Sequence, residues 1–262
     1  MKKLYIIKVG STFPATKKLF GDFDQWTANA LGTIDIDIEI VDVEHGASLP
    51  KIAECAGAVI TGSHAMVTAN MPWSVRLEKW IRSLLDERIP VFGICYGHQL
   101  LAKAAGGLVD FHPRGREIGT VCVNLLPGCS ADPVFQALPK SFLVHVTHSQ
   151  TVLRLPKAAV RLAANTHEPN HAFRLGECAW GVQFHPEYDV GIMRSYIREQ
   201  ANELESAGME VSRLLDGVSE TPTAAQILQT FGSLVVERLG RQRQVADLSQ
   251  RQLFRNINRH SG

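Results

Sequence analysis

Apolar positions recur along this chain with two periods, and the alternation between them outlines the fold. LYIIKVG (4–10) and GAVITG (57–62) are short, nearly continuous apolar runs, the composition of strands buried on both faces. IDIDIEIVDV (34–43) alternates apolar and acidic residues, as a half-exposed strand does. Between them, DFDQWTANALG (22–32) reads as a helix. PWSVRLEKWIRSLLDERIP (72–90) sets Leu77, Trp80, Ile81, Leu84 and Leu85 on one helical stripe. A buried strand follows over Ile89–Ile94, then a helix over His98–Gly107 that ends in paired glycines. Strand and helix in this order predict an α/β chain, with a mostly parallel twisted sheet covered by helices on both faces. Thr120–Ala164 reads as shorter strands added in antiparallel fashion.

Beyond Glu187 the chain continues further than one closing helix requires. Val190–Ala207 reads as helical. A second helix is signalled by Thr221 as N-cap, Pro222 at the first helical position and a stripe of Ile227, Leu228, Phe231, Leu234, Val235 and Leu239, with Gly240 ending it. That stripe is expected to pack on the parent domain rather than on a second subunit. Arg241–Gly262, rich in Arg and Gln, reads as a solvated tail. The expected division is residues 1–205 as the α/β domain and 206–262 as a helical C-terminal extension with an Arg/Gln-rich tail.

The chemistry is concentrated in two segments. In VFGICYGHQLL, Cys95 stands where the strand turns into the helix, with Gly93 and Gly97 two residues to either side. A side chain on such an elbow needs unusual backbone angles and neighbours without Cβ atoms, and the helix N-terminus favours a thiolate. Taken alone, Cys95 could equally be an inert core thiol. The second segment, WGVQFHPEYD, presents His185 and Glu187 two residues apart around Pro186, so that both point the same way from a strand end. Cys95, His185 and Glu187 then make a nucleophile, a base and its orienting carboxylate, a set suited to acyl transfer.

GICYGHQLL with GVQFHPE resembles the class I (triad-type) glutamine amidotransferases, in particular the amidotransferase domain of GMP synthetase and its free-standing relatives. GAVITGSHAMV resembles the family's oxyanion loop, HVTHSQTVLRLP a substrate-facing segment, and RGREIGT, with Glu117 and Gly119, a further family segment. The likeness covers most of residues 4–200. It implies the flavodoxin-like fold of that family and a γ-glutamyl thioester on Cys95, formed from L-glutamine with release of ammonia for an acceptor. It further implies backbone amides of Gly62 and Tyr96 as the oxyanion hole, and Gln99, His148, Ser149 and Gln150 as substrate contacts. Two departures stand out: Thr61-Gly62-Ser63 where Gly-Gly-Pro is frequent, and Gln150 where an Asp is common. The second makes a changed substrate pocket plausible, and with it the alternative of a stand-alone γ-glutamyl peptide or γ-glutamyl amine hydrolase using the same three residues. A catalytically silent binding subunit is disfavoured by the intact set.

Composition narrows the remainder. The 262 residues carry a net charge of +1, which gives no argument for nucleic acid or a membrane surface as partner. No apolar run approaches the roughly 18 residues of a membrane span, and MKKLYIIKVG is not a signal peptide. Five cysteines without paired spacing fit a reducing compartment, so a cytoplasmic location is expected, with Cys55, Cys122, Cys129 and Cys178 as core or surface residues. Ten histidines notwithstanding, no metal-ligand spacing occurs, and no cofactor or metal is expected. Gly57–His64 lacks the Lys and Ser/Thr of a phosphate loop, so ATP binding there is not expected. The expected partners are a small-molecule γ-glutamyl substrate and a synthase subunit that uses the ammonia.

Overall fold

A computed structural model describes residues 2–259, with backbone alone for residue 243 and for 245–259. Its elements in chain order are β1 (Lys3–Lys8), α1 (Pro14–Phe20), α2 (Phe23–Leu31), β2 (Ile38–Asp42), β3 (Cys55–Ile60), α3 (Pro72–Asp86), β4 (Val91–Ile94) and α4 (Tyr96–Ala104). There follow β5 (Leu108–Phe111), β6 (Glu117–Leu125), β7 (Ser141–His148), β8 (Gln150–Arg154), β9 (Ala159–Ala164), β10 (Ala172–Leu175) and β11 (Ala179–Val182). Four helices close the chain: α5 (Val190–Glu199), α6 (Ala201–Ser206), α7 (Val211–Asp216) and α8 (Pro222–Arg259).

One sheet of nine strands organises the molecule, in the order β2-β1-β3-β4-β11-β10-β9-β6-β7. The run from β2 to β11 is parallel, and β10, β9, β6 and β7 continue it antiparallel. β5 and β8 pair separately as a two-stranded ribbon. Strand alternation divides the core in two. Leu4 and Ile6 of β1 face one side, with Val59, Phe92 and Trp180 and the helix α8. Tyr5 and Ile7 face the other, against Leu77, Trp80, Ile81 and Leu84 of α3 and Leu100 and Leu101 of α4. A third cluster, Phe23 and Trp26 of α2 with Tyr188, Ile192, Met193 and Tyr196, packs the end of the sheet where β3, β4 and β11 finish.

The C-terminal helix is integral to this core. Ala224, Ile227, Leu228, Phe231 and Val235 are fully buried, and Leu239 nearly so. Each large apolar side chain hidden in this way stabilises the fold by about 2 kcal/mol. The expected packing of the stripe on the parent domain is what the helix shows. Gly240, however, does not end it. Its φ is not positive, nothing crowds its position, and the Arg- and Gln-rich sequence that follows has good helix propensity, so the backbone stays helical to Arg259. The solvated tail expected over Arg241–Gly262 is therefore helical as far as it is described, and 260–262 lie outside the described residues.

Other elements also differ from the pattern-based reading. β2 is shorter than IDIDIEIVDV, because β1 offers partners only to Ile38–Asp42. The helix expected over Val190–Ala207 breaks at Gln200, whose side-chain amide donates to the Tyr196 carbonyl (3.0 Å) while its own backbone leaves helical geometry (φ −102°, ψ 9°). The short helices α1 and α7 had no distinct signal in the pattern.

α2 is anchored beside the site by a buried charge cluster. Asp22 caps the helix, accepting from the amides of Thr12 and Phe23 and from Lys8 Nζ (2.8 Å) and Lys17 Nζ (2.9 Å). Burial alone would raise its pKa, but these donors outweigh it and hold the carboxyl far below the usual range. No described helix is long and apolar enough to cross a membrane.

Candidate active site

Cys95 sits between β4 and α4 with φ 49° and ψ −95°, in the left-handed half of backbone space that a non-glycine residue adopts only under constraint. The constraint is visible on both sides. Its amide donates to the Val182 carbonyl at the end of β11 (2.8 Å), and its carbonyl accepts the first helical bond from Gln99 (3.1 Å). A Cβ at Gly93 would lie 2.4 Å from the Gly97 backbone, and one at Gly97 would lie 2.4 Å from the Ile60 carbonyl oxygen. Both glycines are thus required for strand and helix to approach closely enough to force the turn. Cys95 is 7% exposed, lines a cleft, and its sulfur receives the Gln183 side-chain amide at 3.5 Å.

His185 and Glu187 follow the neighbouring strand, β11. The His185 amide donates to the His145 carbonyl of β7 (2.8 Å), which pins the segment across the sheet. His185 Nδ1 lies 2.8 Å from Glu187 Oε1, and both side chains are almost wholly buried. The imidazole stacks on Tyr188 at 4.0 Å and lies parallel to Phe23 at 6.5 Å. Gly62 abuts the ring: a Cβ there would lie 2.9 Å from His185 Cε1. Nε2 has no hydrogen-bond partner among the described residues. Burial opposes a charge on this ring, but the Glu187 carboxylate and the Cys95 sulfur outweigh burial and raise its pKa to about 10. The imidazole is therefore protonated through neutral pH whenever a thiolate faces it. His145 shows the opposite case: burial, and then the charge on His185, push its pKa down to about 4.

The other expected site residues converge on the same cleft in different ways. The backbone amides of Gly62 and Tyr96 have no acceptor among the described residues. Tyr96 turns its hydroxyl away, to Ser74 Oγ at 2.6 Å. Gln99 donates to the Gln150 carbonyl (2.8 Å) and to Gln183 Oε1 (3.0 Å), so its amide nitrogen is fully committed within the protein. Gln150 donates its own amide to Thr68 Oγ1 (2.6 Å). His148 uses both ring nitrogens, Nδ1 with the Gln150 carbonyl (3.0 Å) and Nε2 with Glu117 Oε2 (3.1 Å). All three residues of the triplet 148–150 line the cleft, and the Ser149 hydroxyl accepts from Arg116 Nε at 3.2 Å.

Glu117 is the hub of a second buried cluster. It pairs with His148, lies 3.3 Å from His171 Nε2, and accepts from Asn165 Nδ2 at 2.7 Å. Burial works against the carboxylate, yet the donors of His148, His171 and Asn165 keep its pKa far below the usual range. Among the described residues, no group of three or more His, Cys, Asp or Glu side chains is arranged to hold a metal ion.

Sequence reasoning missed Gln183, Arg116, Thr147 and His171. Gln183 was within reach, because it shares the strand face of His185 two residues on and so points at the same place. His171 and Arg116 carried no local signal: each meets the site only through strand pairing and cross-sheet contacts.

Residues 19–203 match the family model described as glutamine amidotransferase class-I. GMP synthase [glutamine-hydrolyzing] of Porphyromonas gingivalis is 30% identical over 194 residues, which cover 72% of this chain and 36% of that protein, so the chain spans little more than a third of that relative's length. Gamma-glutamyl-L-1-hydroxyisopropylamide hydrolase of a Pseudomonas species is 31% identical over 187 residues, covering 67% of this chain and 60% of that one. The crystal structure of a glutamine amidotransferase from Thermotoga maritima superposes with a TM-score of 0.71 at 24% identity, over 90% of this chain and all of that one, and so shares the fold. With the matched region spanning both the elbow of Cys95 and the segment of His185 and Glu187, the chain belongs to the class I glutamine amidotransferase family.

Proposed function

We propose that this protein hydrolyses the γ-carboxamide of L-glutamine through a thioester on Cys95 and releases ammonia for an acceptor. The observation that carries the reading is the strained Cys95 elbow beside a buried His185–Glu187 pair at the ends of adjacent parallel strands. His185 takes the Cys95 proton, held in orientation by Glu187, and the thiolate adds to the amide carbon. The amides of Gly62 and Tyr96 receive the oxyanion, each contributing about 3 kcal/mol in the transition state. The imidazolium then donates its proton to the departing nitrogen, ammonia leaves and the γ-glutamyl thioester remains. Water attacks that thioester, with His185 taking its proton, and glutamate departs as the sulfur recovers the proton. Gln99 and Gln183 brace the thiol and the floor of the cleft, and Ser149 faces the substrate.

The matched relatives support a synthase partner as well, since the matched region is only one part of the GMP synthase chain. A stand-alone hydrolase of γ-glutamyl amides is the second reading. It is favoured by the similarity to an enzyme named for that reaction and by Gln150 in place of an acidic residue. Both readings share the thioester and differ in the leaving group.

The test measures ammonia and glutamate released from L-glutamine, γ-glutamyl dipeptides and γ-glutamyl alkylamides, with Cys95→Ser as the blank. Preference for glutamine supports the first reading, preference for the substituted amides the second. Turnover by Cys95→Ser at the wild-type rate would sink both.

A further inference from the structure

Among the described residues lining the cleft, Arg116 is the one permanently charged side chain, and no carboxylate lines it. We propose that Arg116 binds the α-carboxylate of the substrate, so that the site takes free γ-glutamyl amino acids and amides and rejects glutamine whose α-carboxyl is amidated or in a peptide bond. This rests on the γ-glutamyl thioester reading and deepens it.

A guanidinium has five N–H donors in a planar fork suited to a carboxylate. Arg116 uses Nε on Ser149 Oγ at 3.2 Å and one Nη1 hydrogen on Glu203 Oε2 at 3.4 Å. The remaining donors, including both on Nη2, have no partner among the described residues. Its side chain is 27% exposed, sheltered enough for a strong pairing and open enough for a ligand to reach. The Glu203 contact is long and lies on a side chain 72% exposed, so it is weak and readily exchanged.

The backbone around Arg116 fixes the direction of the fork. The next residue, Glu117, is locked by His148, His171 and Asn165, and pairs in register with His148 across the β6–β7 ladder. Ser149, the residue after His148, closes the loop by accepting from Arg116. The cation is therefore held against the Ser149 hydroxyl, in the cleft that Cys95 also lines. Glutamine and γ-glutamyl peptides both carry a free α-carboxylate at the end remote from the scissile amide. One cation thus serves both versions of the chemistry.

The experiment compares L-glutamine with its α-amide in wild type, Arg116→Gln and Arg116→Lys. Two readings are taken: kcat and KM for ammonia release, and the ligand concentration that half-protects Cys95 from alkylation by iodoacetamide. Wild type should favour the carboxylate form by about 10- to 100-fold, through KM and half-protection rather than kcat. Arg116→Gln should abolish that preference by losing only the carboxylate form, and Arg116→Lys should retain part of it. A wild type indifferent to the α-group, or an Arg116→Gln variant that keeps the preference, overturns the assignment while leaving the thioester reading intact. If no γ-glutamyl compound is turned over and none protects Cys95 from alkylation, the thioester reading falls, and this assignment falls with it. Circular dichroism of both variants separates lost recognition from lost fold, and the wild-type comparison stands without any variant.

Discussion

Two buried histidine–carboxylate clusters flank one cleft, which Cys95 lines beside the first and His148 lines from the second, and they have opposite designs. In the first, Glu187 takes one nitrogen of His185 and leaves the other without a protein partner beside the Cys95 sulfur. In the second, Glu117 is shared by His148, His171 and Asn165, and His148 has no nitrogen to spare. The ingredients are the same and the burial is similar. What differs between His185 and His148 is the count of partners: an incompletely satisfied imidazole beside a thiol can move a proton, whereas His148, with both nitrogens engaged, holds two strands together. A histidine beside a glutamate is thus no sign of acid–base function until the second nitrogen is accounted for.

The largest effect that sharpens this contrast is on rate. Glu187→Gln keeps the shape of the pair but removes the charge that orients His185 and raises its pKa. Turnover should fall on the order of 10³-fold, with the thermal midpoint changed far less, as checked by ammonia release and by calorimetry on one preparation. Glu117→Gln should give the reverse profile. It loses the charge that three donors converge on, so stability should drop by about 2 kcal/mol in denaturant titrations while kcat for the folded fraction changes only a few-fold. If Glu117→Gln struck the rate as hard as Glu187→Gln, the two clusters would not be functionally distinct.

The sequence exposed the first cluster far better than the second, for a physical reason. The proposed reacting groups sit at strand ends where local rules are strict. Cys95 needs glycines two residues to either side, and His185 needs its carboxylate two residues on, so both are readable within ten residues of chain. The partners of Glu117 are set by register. His148 meets it because β6 and β7 pair antiparallel with those two residues opposite each other, and His171 arrives from the connection before β10. No local spacing encodes that meeting. The same limit hid Arg116, and it explains why the parallel core was legible while the end of α8 was not. Gly240 is a helix terminator only when its backbone must turn left-handed, and here it does not.

The smallest predicted effect sets the clusters apart by the sign of their pH dependence. Glu117 has a depressed pKa in the folded protein, so its contribution to stability is present above its ordinary value of 4.5 and is lost as pH falls below it. In that range the unfolded chain binds the proton more readily than the folded one. His185 has a raised pKa, so its contribution is complete below its ordinary value of 6.5 and is lost as pH rises toward about 10. There the folded protein binds the proton more readily. Urea midpoints measured across both windows should therefore show Glu117→Gln flattening the acid limb and Glu187→Gln the alkaline limb, each leaving the other limb close to wild type. The acid limb will not vanish in Glu117→Gln, because Asp22 also has a strongly lowered pKa and contributes in the same direction. Flattening of the same limb by both variants would mean that the two carboxylates act on one shared network rather than on separate histidines.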